Sequence, residues 1–171
     1  MNDTLISAIT DFTLAARELR RKSPVAVETA PDNPVTRRLL EIQKMITARD
    51  LAGAGAELKK PAAENASEPR IYYSIGRVAS LSAEGVTDPD VQAQKLLDAK
   101  VAYSNVLRTA KPTTDKALLS LTYVALARIY EFAGENAYAV QLYDKAIELD
   151  DIPGGAFRDA LAGKQNLLKK Q

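Results

Sequence analysis

Cysteine, histidine and tryptophan are all absent from this 171-residue chain. Without cysteine there is no disulfide framework and no thiol chemistry. Without histidine the commonest general base and the commonest transition-metal ligand are both missing. Without tryptophan one of the usual interface anchors is gone. An excess of charge is lacking too: 23 Lys and Arg stand against 22 Asp and Glu, a formal net charge of +1. That balance supplies no long-range field to draw in nucleic acid or an anionic membrane, so neither is expected as a partner. No run approaches the roughly 18 consecutive apolar residues of a membrane span. Met1-Asn2-Asp3 is not the basic opening of a signal peptide. The cytoplasm is then the default compartment, although the same start would be seen on a fragment of a longer, bacterial or other, protein.

What is present is ordinary for a folded domain. Hydrophobic residues make up 46% and charged residues 26%, a mixture that can bury a core and argues against global disorder. Helical periodicity dominates. Leu5, Ile9, Phe12, Ala16 and Leu19 fall in steps of four and three and predict a helix over 4–22. The segment 23–33, with Pro24 and Pro31, reads as a linker. Asn33-Pro34 is a cap followed by a first-turn proline and opens a helix reaching about Ala48. A shorter helix follows from Leu51, weakened by Gly53 and Gly55 and expected to stop at Pro61. Further helices are predicted over Pro69 to Ala83 and from Pro89 to about Ala110. In the latter Leu96, Ala99, Tyr103, Val106 and Leu107 share one face.

The clearest stripe is Leu119, Tyr123, Leu126, Tyr130 and Ala133, capped by Thr113 or Thr114 and closed by Gly134. Helices over Ala137 to Leu149 and Ala156 to Lys169 complete the chain. No segment alternates with period two for the length of a strand. The expectation is an all-α fold of antiparallel neighbours.

Ser120 to Pro153 resembles the tetratricopeptide repeat, a helix–turn–helix unit. Tyr123, Leu126-Ala127, Tyr130, Gly134, Ala139, Tyr143 and Ala146 stand at the family's positions in type and spacing. A divergent copy upstream carries Tyr72, Ile75-Gly76 and Ala79, then Ala99, Tyr103 and Val106. Its period is long, since Tyr72 and Tyr123 are 51 positions apart (123 minus 72) against about 34 in the family. Elongated helices around Gly85 to Asp88 would absorb the excess. Leu51, Ala54 and Leu58 resemble a second helix of an earlier copy, where Arg38 and Pro61 depart from the family's residue types.

The resemblance covers Pro34 to Pro153. It implies a right-handed antiparallel α-α solenoid of about three helical hairpins, with capping helices at the N- and C-terminal ends (4–22 and 156–169) in a single domain. It also implies function: such repeats bind a peptide or partner helix in a concave groove lined by their first helices. Carried onto this chain, the groove positions are Gln43, Tyr73, Ser74, Arg77, Val124, Arg128 and Glu131. Arg77 and Arg128 fall one repeat apart, and two guanidiniums could grip a carboxylate. The Lys and Asn set of the family's carboxylate-clamp members is missing here. Tyr72 is expected to point inward and its neighbour Tyr73 to stand exposed in the groove as an anchor.

Catalysis is not expected. The carboxylates Asp88, Asp90, Glu148, Asp150 and Asp151 sit at helix ends, where capping explains them. No phosphate loop, nucleophile motif or metal-ligand spacing occurs, and no cofactor is implied. Arg37, Arg38, Lys44 and Arg49 give one helix a basic face, but no aromatic interleaves with them for base stacking. Two roles remain open: a protein-interaction scaffold using the groove, or a structural and oligomerisation segment using the end helices.

Overall fold

The computed structural model describes residues 33–169. The helix expected over 4–22 and the linker up to residue 32 lie outside them. Among the described residues there are seven helices and no strand: α1 (Pro34–Thr47), α2 (Leu51–Glu64), α3 (Pro69–Ala83), α4 (Pro89–Thr109), α5 (Lys116–Phe132), α6 (Asn136–Ile147) and α7 (Phe157–Lys169). The chain divides after Arg37, and everything said below about packing concerns the unit that begins at Arg38.

Local chemistry sets most of the boundaries. The Asn33 Oδ1 accepts from the Thr36 N–H at 2.7 Å, and Asp88 accepts from the N–H groups of Asp90 and Val91. Each satisfies donors that a helix start leaves without partners. Two boundaries differ from the sequence reading. The cap of α5 is Asp115, which accepts from the Ala117 N–H at 2.9 Å. Thr114 instead accepts from the Lys111 N–H at 2.8 Å and shapes the preceding turn. In α2 the helix runs through Pro61 for three further residues. Pro61 is buried there, and its own carbonyl accepts from the Asn65 N–H at 2.9 Å, so the helix closes on the residue expected to end it. Gly134 does terminate its helix as expected, at φ 79°, a conformation costly for any residue with a Cβ.

Each helix from α2 onward packs against the next, and α3 touches α5 as α5 touches α7. The core gathers where these helices cross. Ala99, Ala127, Ala139, Ala146 and Ala160 have no exposed surface at all, and a small side chain at a crossing lets backbones approach closely. Two tyrosines fill the space alongside. A Cβ on Gly76 of α3 would stand 2.6 Å from the Tyr103 ring of α4, and one on Gly163 of α7 would stand 2.3 Å from the Tyr143 ring of α6. Helix α5 lies centrally and is buried on more than one face, through Ser120, Thr122, Val124, Leu126, Ala127 and Ile129. The Ser120 hydroxyl oxygen accepts from the Ala156 N–H at 3.0 Å, which ties the start of α7 to α5.

Candidate functional site

Between α3 and α5 the surface opens into a cleft of about 460 Å³. Tyr73, Arg77 and Leu81 come from α3, Leu96 and Tyr103 from α4, and Leu121, Val124, Arg128 and Phe132 from α5, while Asp159 of α7 stands at the edge. Apolar side chains form the floor because α5 turns its Val124 face toward Tyr103, and both are nearly fully buried. Phe132, at the rim, is 64% exposed and is among the most exposed large apolar side chains described. A bulky ring left in water beside a cleft is the kind of feature that marks a contact surface.

Tyr73 is half-buried, its ring tilted against that of Tyr103 with centroids 5.8 Å apart. The two adjacent tyrosines are both half-buried and differ in what they touch. The Tyr72 hydroxyl reaches out to donate to the Ala66 carbonyl at 2.9 Å, while Tyr73 packs on the core and lines the cleft. Register explains the difference: Gly76 leaves room for the Tyr103 ring, and Tyr73, one turn before it, meets that ring. Burial pushes the Tyr73 hydroxyl above its ordinary pKa, and the guanidiniums of Arg77 and Arg128 pull against that shift. Tyr103 is pushed up to about 12, chiefly by burial.

Of the seven residues expected in the groove, Tyr73, Arg77, Val124 and Arg128 line the cleft together. Val124 is 3% exposed and belongs to its floor. Gln43 is not part of the wall, but its Oε1 accepts from the Arg77 Nη1 at 2.5 Å. Ser74 turns back on its own helix, donating to the Arg70 carbonyl at 3.0 Å. Glu131 is not part of the wall and accepts from the Tyr143 hydroxyl at 3.1 Å, beside Arg128. Sequence reasoning missed Leu96, Leu121 and Asp159. Leu96 lies on the face that the sequence assigns to packing, Leu121 lies off the stripe of its helix, and Asp159 lies outside the repeat-like segment. Its only sequence signal was an acidic residue in the first turn of α7.

Comparison with protein-family models, with curated proteins and with solved structures returns no match. The site therefore rests on its own geometry.

Charge is distributed unevenly around the cleft. Arg128 faces Asp159 at 3.4 Å, and Glu84, on the opposite edge, accepts from Arg49 at 2.9 Å. A second hollow of about 710 Å³ lies among the loops that join α2 to α3 and α4 to α5. Of its charged groups, Glu68 pairs with Arg70 at 2.8 Å, and Asp115 caps α5. The basic face of α1 is likewise paired, Arg38 with Glu57 and Lys44 with Glu41. No described helix is long and apolar enough to cross a membrane.

Proposed function

We propose that this chain is a non-catalytic interaction module, built of tetratricopeptide-like hairpins, that holds a peptide or a partner helix against the face formed by α3 and α5. The observation that carries the reading is the apolar cleft in which Tyr73, Arg77, Val124 and Arg128 meet. These residues are 51 positions apart in two pairs (Tyr73 with Val124, Arg77 with Arg128), so equivalent points of two hairpins form one surface. The contacts of α3 with α5 and of α5 with α7 agree with first helices stacked side by side. The buried small residues at the crossings agree with the same plan.

Self-association is the second reading, and it draws on Leu97 and Val101, about half exposed and one turn apart on the outer face of α4. The last helix gives it little support, because Leu167 is 1% exposed and only Leu168 projects into water. The test is a selection of displayed random peptides on the immobilised chain. Selected peptides should lose binding to a Phe132→Asp/Arg128→Glu variant, both positions being exposed enough to change without unfolding. They should keep binding to a Leu97→Asp/Val101→Asp variant. The opposite pattern would overturn the cleft reading.

A further inference from the structure

The two cleft arginines look equivalent in sequence and are not equivalent in structure. The Arg128 charge is met by the Asp159 carboxylate at 3.4 Å, and Glu84 is met by Arg49. Arg77 is held instead by a neutral group, the Gln43 amide oxygen at 2.5 Å. The amide is itself oriented: its Nε2 donates to the Thr47 Oγ1 at 3.3 Å, and the Thr47 hydroxyl donates to the Gln43 carbonyl at 2.9 Å. Thr47 thereby turns the oxygen of Gln43 toward the guanidinium. This relay fixes the position of Arg77 without neutralising it. A guanidinium carries five N–H donors in a rigid fork, and Gln43 engages one nitrogen. Tyr73 and the apolar floor line the same cleft, and a charge-assisted hydrogen bond strengthens where water is partly excluded.

We infer that Arg77, positioned by Gln43, is the anionic anchor of the cleft, and that its occupant is a peptide segment presenting one Asp or Glu beside a bulky apolar side chain. The inference rests on the peptide-groove reading above. Charge complementarity decides the occupant: a cation with no carboxylate partner among the described residues, beside an apolar floor, accepts one carboxylate and one hydrophobic group. A second carboxylate would have to displace Asp159 from Arg128. Asp159 thus acts as a specificity-determining residue, screening out doubly acidic segments.

The experiment uses arrayed short synthetic peptides with blocked ends. Each carries one Phe or Leu and one Glu at varied separation, and each is paired with a mate in which Glu is Gln. The purified chain reads the array, and the best pairs are titrated by fluorescence polarisation after circular dichroism confirms that each variant is folded. The Glu member should bind about tenfold more tightly than its mate, the scale of one hydrogen bond to a charged group. Arg77→Gln should erase the preference. Gln43→Ala should reduce it several-fold while leaving the Gln mate's affinity unchanged, which a purely structural role would not do. Asp159→Asn should raise affinity for peptides with a second Glu. Equal binding of Glu and Gln members, lost in Phe132→Asp, would overturn the anchor and leave the groove standing. A preference erased by Arg128→Gln and kept in Arg77→Gln would also overturn it. Failure of every peptide to bind would overturn both readings.

Discussion

In the hairpin α3–α4 the ring of Tyr103 lies over Gly76 of its own first helix, whereas in α5–α6 the ring of Tyr143 lies over Gly163 of the helix that follows. The two tyrosines occupy places that the proposed repeat would match, and both are almost wholly buried. Their neighbours differ because the glycine is offered in different places: α3 carries it at position 76, while α5 carries Ala127 at the matching point. The Tyr103 ring is therefore received within its own hairpin, and the Tyr143 ring by α7. Helix lengths differ in the same sense. Helix α4 has 21 residues and α6 has 12, and the longer one carries the exposed Leu97 and Val101. Equivalent sequence positions need not make equivalent contacts; the nearest backbone without a Cβ decides where a large ring goes.

The sharpest way to break the comparison is to remove a ring. Tyr143→Ala is expected to cost about 3–5 kcal/mol, the range for deleting a buried aromatic side chain, measured by urea denaturation. Hydrogen exchange should show the loss concentrated in α6 and α7, with α3 and α4 protected as before. Protection lost equally in all four helices would mean that the hairpins do not differ in this way. Filling the glycines comes next. Gly76→Ala and Gly163→Ala each force a methyl group into a buried ring, at about 1–3 kcal/mol for overpacking, against about 1 kcal/mol gained in helix propensity. The net destabilisation should fall on α3–α4 in the first variant and on α6–α7 in the second. A stabilised Gly163→Ala protein would contradict the close approach.

A smaller effect distinguishes the hydroxyls. That of Tyr143 donates to Glu131, so Tyr143→Phe should cost about 1 kcal/mol at neutral pH. Its larger signature is alkaline. Burial first, and the Glu131 carboxylate second, push the Tyr143 hydroxyl up to about 12, against about 10 in an unfolded chain. The folded state therefore retains a proton that the unfolded state gives up. The stabilisation is complete below pH 10 and disappears as pH rises through about 12. Tyr143→Phe should fall less steeply over that window than the parent protein, with the remaining fall carried by Tyr103, also pushed up to about 12.

Most of the helices were legible in the sequence because their ends carry explicit chemistry: Asn33 and Asp88 as caps, Gly134 as a stop, and apolar steps of three and four between them. Pro61 misled because the helix runs on past it for three residues and closes with the Asn65 N–H on the Pro61 carbonyl. Only part of the candidate cleft was legible. Tyr73, Arg77, Val124 and Arg128, expected together from the resemblance to a repeat, do line one cleft. Ser74 and Glu131 failed because a polar side chain beside its own backbone or a buried hydroxyl takes the local partner. The pairing of Arg128 with Asp159 was invisible, since it joins helices whose relative placement no sequence periodicity specifies. The different partners of Tyr72 and Tyr73 turn on a single step of helical register, finer than a pattern of apolar residues resolves.

The most direct test of the cleft as the binding surface is a map of backbone amide shifts in the 15N-labelled chain as the tightest Glu-containing peptide is titrated in. Shifts gathered on Tyr73, Arg77, Val124, Arg128 and the first turn of α7 are the predicted result. Shifts centred on Leu97 and Val101, or saturable binding that moves no residue of α3 or α5, would contradict it.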